Sequence, residues 1–155
     1  KTGVLADRYD KEVDWTIRPN CLLALYCYPG LLENHQWIHV ATNTLHVLKT
    51  PWKGGLATID PNSVLFKDQH TGTSDESYHR GDSWYFLTNL IAVALRDLDL
   101  QFATFVDDVS NAAIHEMLAC GSFGTCAEIS DYSMQSSLGC VNQAWSASSL
   151  LELLR

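Results

Sequence analysis

Residues 82–119, DSWYFLTNLIAVALRDLDLQFATFVDDVSNAAIHEMLA, hold two apolar patterns of different kind, one directly after the other. In the first, from about Asp82 to Leu98, Trp84, Leu87, Ile91 and Leu95 line one side at helical spacing while Phe86, Leu90 and Val93 line another. A helix that is apolar nearly all round must be buried on most of its faces. The second, from about Leu100 to Ala119, is expected to put Phe102, Phe105, Val106, Val109, Ala113 and Met117 on one stripe and Asp107, Asp108, Asn111 and Glu116 opposite, so that it lies outside. Inner helices packed by outer ones are what a double ring of helices needs, and the fold class follows as all-α.

The flanking sequence extends this pattern. CLLALYCY follows Pro19, which suits the first turn of a helix, and Pro29 and Gly30 end the run. Asn34 is a good N-cap for a second helix that continues through WIHVATNTLHVL to Thr50 and Pro51. A last helix is expected from about Gly139 to Leu154, carrying Val141, Trp145 and Leu151 among small residues. Between them, Trp52 to Ser77 holds glycines, a DPN turn and many small polar residues, which reads as a long ordered loop of the kind that is usually functional. No segment alternates with period two over a convincing length, so strands are expected only as short pieces in loops. The result is about five helices with long loops, with no internal repeat and no linker to divide them.

At 155 residues the chain is long enough to bury a sizeable core as one domain. It carries 18 acidic and 10 basic residues, a formal charge of −8, and no basic stripe, which disfavours nucleic acid as a partner. Its apolar runs stop well short of the ~20 residues of a membrane span, and no secretory signal pattern opens the sequence. Cys21, Cys27, Cys120, Cys126 and Cys140 are odd in number and form no CxxC pair, which favours reduced thiols and a cytoplasmic protein over a disulfide framework. The start at Lys1 and a first segment that opens mid-pattern suggest a cut or incomplete chain.

Several residues invite chemical readings. Glu128 is a single carboxylate in AEIS, a loop just before a tryptophan-bearing helix, and reads either as a catalytic acid or base or as a surface glutamate in a polar loop. In Tyr78-His79-Arg80-Gly81-Asp82-Ser83-Trp84, polar donors and acceptors stand beside an aromatic face, the combination a sugar ring needs. Gly81 would let the backbone come close, and the plainer reading makes Asp82 a helix cap and Trp84 core. His35, His39 and His46 share helical spacing, but HQWIH has Gln36 where a zinc protease needs its glutamate. No metal is expected, and nucleotide-binding glycine motifs are absent.

Taken together, IRPN, the TP pair and DP turn, YHRGDSW, AEIS and GCVNQAWS resemble, in kind and order, the C-terminal part of the amylo-alpha-1,6-glucosidase domain of glycogen debranching enzymes of archaeal and bacterial type. The resemblance runs from about Asp14 to Leu154. It implies an alpha/alpha toroid of the six-hairpin glycosidase type, of which residues 1–155 would be a C-terminal portion, because about six inner and six outer helices are needed and only five are visible. It implies hydrolysis of alpha-1,6-linked branch-point glucose in glycogen or limit dextrin with inversion, no cofactor, and Glu128 as general base. Arg18, Asn20, His79, Arg80, Gly81, Asp82, Trp84, Gln143 and Trp145 then hold the sugar. The family's general acid lies upstream of anything present here, and Asp75, Glu76 and Asp82 are poor substitutes, so the isolated chain is expected to be inactive. Tyr85 and Phe86 stand where many members carry a proline and a second tryptophan, which alters the outer pocket. Another toroidal glycosidase (a glucoamylase, trehalase or alpha-glucosidase relative) and a non-catalytic glucan-binding or assembly fragment are the competing readings. Glucan is the implied partner, together with self-association or pairing with the missing part of the toroid.

Overall fold

The computed structural model describes residues 3–155. Five α-helices follow in order: α1 (Asn20–Cys27), α2 (Asn34–Leu48), α3 (Tyr85–Leu98), α4 (Ala103–His115) and α5 (Ala144–Leu153). Strands are confined to two-residue pieces. Of these, β1 (Arg8–Tyr9) pairs with β2 (Val13–Asp14), and β3 (Ser83–Trp84) pairs antiparallel with β4 (Ile129–Ser130), Ser83 opposite Ser130 and Trp84 opposite Ile129.

The expected inner helix occupies the centre. Tyr85, Leu87, Thr88, Asn89, Ile91, Ala92, Val93, Ala94 and Leu95 are all buried, and α3 packs against α1, α2, α4 and α5. The core joins Leu22 and Leu25 of α1, Trp37, Val40, Leu45 and Leu48 of α2, Ile91 and Leu95 of α3, and Phe105 and Val109 of α4. Trp37 buries its whole ring because its indole N–H donates to the Pro29 carbonyl at 2.7 Å, leaving no polar group orphaned. The outer helix α4 keeps Asp107 and Asn111 in solvent and buries Phe105, Val106, Val109, Ala112 and Ala113. An inner helix sheathed by outer ones is the arrangement of a segment of an alpha/alpha toroid.

Four local expectations are corrected. The second helix is capped by Glu33, not Asn34: the Glu33 N–H donates to the Gln36 side chain at 3.0 Å, the returning half of a capping box. The third helix begins three residues later than its apolar pattern, because Ser83 and Trp84 are spent on the ribbon with β4. Glu116, placed by residue type on the polar face of α4, is 2% exposed. It follows Val109 by seven residues and Ala112 and Ala113 by four and three, so helical spacing puts it on the buried stripe. The fifth helix starts at Ala144, leaving Val141 ahead of it, and the apolar residues singled out for it are exposed (Val141, Trp145 and Leu151), while Ser146, Ser149, Leu150 and Leu153 are buried. Serines on that face let α5 approach α3 closely, where the Asn89 amide donates to the Ser149 hydroxyl at 3.1 Å.

The long loop is ordered as expected and is tied to the helices by backbone. Thr50 N–H donates to Gly55 O at 3.1 Å, Ala57 N–H to Leu48 O at 2.8 Å, and Leu56 N–H to the Ser83 hydroxyl at 3.0 Å. All five cysteines are unpaired. Among the described residues no helix is long and apolar enough to cross a membrane.

Candidate active site

Glu128 sits immediately before β4 on a ribbon whose other limb is 138–140. Ile129 and Leu138 exchange backbone hydrogen bonds at 3.2 and 3.0 Å, and Glu128 N–H donates to Cys140 O at 2.9 Å. The half-buried carboxylate accepts at both oxygens. Oε1 takes the Tyr78 hydroxyl at 2.5 Å, and Oε2 takes the Cys140 N–H at 2.9 Å. Gly139 makes room for this: it has φ of +68°, and a Cβ there would stand 2.5 Å from Glu128 Oε2. Burial first, and then the bond to Glu128, push the Tyr78 phenol up to about 12.

Tyr78 joins Glu128 to a cluster of rings. Its ring meets Trp84 edge-on at 4.5 Å between centroids and His79 at 5.0 Å, while His79 and Trp84 stack at 5.5 Å with planes 9° apart. Trp84 is fixed in place by its indole N–H, which donates to Tyr78 O at 2.9 Å. Phe86 continues the row at 5.9 Å, and Trp145 meets Phe86 edge-on at 5.2 Å. His79, Trp84 and Phe86 line a pocket of about 180 Å³ together with Arg18, Asn20 and Thr58. Arg18 is anchored there, Nη1 donating to Thr58 O at 2.9 Å and His79 O at 2.8 Å, with Asp7 3.5 Å from Nε.

The structure therefore brings Arg18, Asn20, His79 and Trp84 to one pocket, with Glu128 linked to it through Tyr78 and exposed Trp145 flanking it through Phe86. The remaining expected site residues are elsewhere. Arg80 is exposed and lies outside the pocket lining, and the nearby Glu76 carboxyl is paired with Lys67 at 2.9 Å. Gly81 is buried, and the partner that needs its bare Cα is protein: a Cβ would overlap the Lys67 carbonyl oxygen. Asp82 is 1% exposed and neither caps α3 nor faces the pocket; its Oδ2 takes the Ser77 hydroxyl at 2.8 Å and pairs with His70 Nδ1 at 2.8 Å. Gln143 acts through its backbone at the start of α5, its N–H donating to Cys126 O at 2.7 Å. His35, His39 and His46 are exposed along α2, and among the described residues no group of three or more His, Cys, Asp or Glu gathers to hold a metal ion.

Sequence reasoning missed Tyr78, although it stands at the head of the quoted motif, and it missed Asp131. The Asp131 carboxylate ties the ribbon to the long loop, taking His70 N–H at 2.6 Å and the Ser133 N–H and hydroxyl at 2.7 Å each. Burial raises this carboxyl, but the bonds from Ser133 and His70 outweigh it and the group ends below its ordinary 3.8. A folded value below the unfolded one contributes stability above about pH 3.8 that is lost as pH falls further. Asp131→Asn is thus expected to be less stable than the parent at neutral pH, with the difference narrowing below about pH 3.8 in urea unfolding curves. A difference that widens on acidification would contradict this account.

Comparison with known proteins agrees with this geometry at the level of family and fold. A family model described as amylo-alpha-1,6-glucosidase matches residues 1–152. No curated protein matches the chain. Among solved structures, an uncharacterized conserved protein from Thermus thermophilus is similar at 21% identity and a TM-score of 0.70 over 93% of this chain and 32% of that one. A GH63 mannosylglycerate hydrolase from the same organism is similar in its complex with glucose, at 21% identity and a TM-score of 0.65 over 92% of this chain and 32% of that one. The same hydrolase with Tris and D-glycerate gives 20% identity and a TM-score of 0.60 over 92% and 30%. The chain spans about a third of the length of these structures.

Proposed function

The chain belongs to the amylo-alpha-1,6-glucosidase family, a family of glycoside hydrolases, and from that premise we propose that it is the base-bearing C-terminal portion of a toroidal domain that hydrolyses alpha-1,6-linked branch-point glucose of glycogen or limit dextrin with inversion. The observation that carries this reading is the line from Glu128 through Tyr78 to the His79–Trp84 stack at the pocket wall. A base and the groups that hold its substrate must converge to be useful.

In this reading the terminal glucose sets an apolar face against Trp84 while Arg18 and Asn20 meet its hydroxyls. Glu128, with both oxygens placed as acceptors, takes a proton from the attacking water as that water's oxygen bonds to the anomeric carbon and the glycosidic bond breaks. Tyr78 and Cys140 N–H hold the carboxylate at a fixed angle for that transfer. Inversion also needs an acid to protonate the departing oxygen from the opposite face. No carboxylate lines the pocket among the described residues, and its volume of about 180 Å³ is below the roughly 300 Å³ at which ligand pockets usually begin. Glu128 itself stands behind Tyr78, outside that lining, so both facts fit a pocket whose further walls and acid come from other parts of a toroid.

The 155 residues alone are accordingly expected to release little or no glucose from limit dextrin, and glucose oxidase detection over extended incubation tests this. Robust release by the isolated chain would show that its own acid had been overlooked. A complete toroid carrying these residues should prefer alpha-1,6 over alpha-1,4 linkages; the reverse preference would favour a glucoamylase-like relative. The lack of a pocket carboxylate also supports a second reading, a glucan-binding segment without catalysis. That reading predicts dextrin binding that no complementing segment converts into turnover.

A further inference from the structure

Glu116 is a buried carboxylate that the proposed chemistry does not use directly. It stands on the π turn, Glu116–Cys120, that ends α4. Its Oε1 accepts the Ser137 hydroxyl at 2.7 Å and the Ala127 N–H at 3.2 Å. These partners belong to opposite limbs of the ribbon that carries Glu128. Ala127 directly precedes Glu128, while Ser137 leads through Leu138 and Gly139 to Cys140, whose N–H is one of the two donors on the Glu128 carboxylate. Gly121 closes the space from beyond the turn, since a Cβ there would lie 2.5 Å from Ser137 Oγ and 3.5 Å from Glu116 Oε1.

Packing alone would choose a different residue. Val109, Ala112 and Ala113 make this stripe apolar, and burying a carboxylate is costly unless it is well bonded. An apolar side chain would extend the stripe without that cost, but it would leave the Ala127 N–H and the Ser137 hydroxyl without their acceptor.

We propose that Glu116 is a positioning residue for Glu128: one oxygen grips both limbs of the ribbon and so fixes where the Glu128 carboxylate stands relative to Tyr78 and the pocket. The inference rests on Glu128 as the base, but its test does not need turnover. Because the Tyr78 hydroxyl bonds to Glu128 and not to Glu116, titration of that phenol reports the position of the Glu128 carboxylate. The measurement is carbon NMR of ring-labelled tyrosine in the 155-residue chain, with Tyr78→Phe to assign the signal.

Glu116→Ala should bring the Tyr78 midpoint part of the way back from about 12 toward its ordinary 10.0, burial holding the rest, while Glu116→Gln, which keeps an acceptor oxygen, retains most of the displacement. With Glu128→Ala already in place, adding Glu116→Ala should move Tyr78 no further. A folded Glu116→Ala chain with Tyr78 unmoved, or an equal shift in the absence of the Glu128 carboxylate, would overturn the proposal. Should Glu116→Ala fail to fold by circular dichroism, Ser137→Ala decides, since it deletes only a hydroxyl: a partial return of Tyr78 supports the grip and none refutes it. In a complete toroid Glu116→Ala should lower kcat by about a hundredfold with KM little changed, the cost of misplacing a reacting group by about an ångström. A Tyr78 response alongside normal turnover of Glu128→Gln would remove the base assignment and leave the grip on the ribbon standing.

Discussion

Glu128→Gln, carried in a complete toroid of this family, is expected to bind limit dextrin as the parent does and to hydrolyse it at least about a hundredfold more slowly, the low end of what a general base contributes. Glutamine keeps the shape, its amide oxygen can accept the Cys140 N–H and its NH2 can donate to the Tyr78 hydroxyl oxygen, so the ribbon and pocket should persist. What it cannot do is take a proton from water. The loss should therefore fall on kcat, with KM close to the parent's. Near-normal turnover, with the fold verified by its melting curve, would exclude Glu128 as the base. A large rise in KM with kcat unchanged would instead make Glu128 a group that holds sugar.

The largest effect on stability is expected from Gly81→Ala. The added methyl would run into the Lys67 carbonyl oxygen, and backbone cannot swing aside as a side chain can. Lys67 N–H also donates to Arg80 O at 2.7 Å, and Gly81 N–H to the Thr58 hydroxyl at 2.9 Å, so relief of the clash must break one of these. Overpacking of this kind costs about 3 kcal/mol, or a drop of roughly 6–12 °C in melting temperature for a chain of this length. Gly30→Ala is the control, since a Cβ there meets only the Tyr28 ring at ordinary distance. Equal melting temperatures for the two variants would refute the contact with Lys67. Reduced dextrin binding by a stable Gly81→Ala chain would restore the idea that a sugar approaches this glycine.

Helices were legible in the sequence because they span many residues with one period. The all-round apolar run of α3 and the stripe of α4 each repeat several times, so misjudging one residue leaves the pattern intact. The ribbon that places Glu128 beside Trp84 offers nothing comparable. Its strands are two residues long and lie far apart in the chain, and two residues have no period. That is why α3 and α5 were expected to begin too early: the residues before each belong to loop and ribbon, and their apolar content mimics another helical turn. Of the candidate site, what was legible is that Arg18, His79 and Trp84, from motifs far apart in the chain, come to one pocket. Arg80 and Asp82, from the same motif, are not at that pocket: Arg80 is exposed outside its lining and Asp82 is buried against His70 and Ser77. Glu116 looks like a solvent residue, yet its spacing from Val109 marks it as buried. A charged residue at a core position is a signal the sequence does contain.

The pairing of Ser83–Trp84 with Ile129–Ser130 also bears on how such a site diverges. Hydrogen bonds between main chains hold Trp84 level with the residue after Glu128, and these bonds do not depend on which side chains the strands carry. The distance between the Glu128 carboxylate and the Trp84 ring is thereby shielded from substitution, while the outer rim, where Phe86 meets Trp145, consists of side chains alone. Drift can remodel the rim without moving the carboxylate or the ring beneath it.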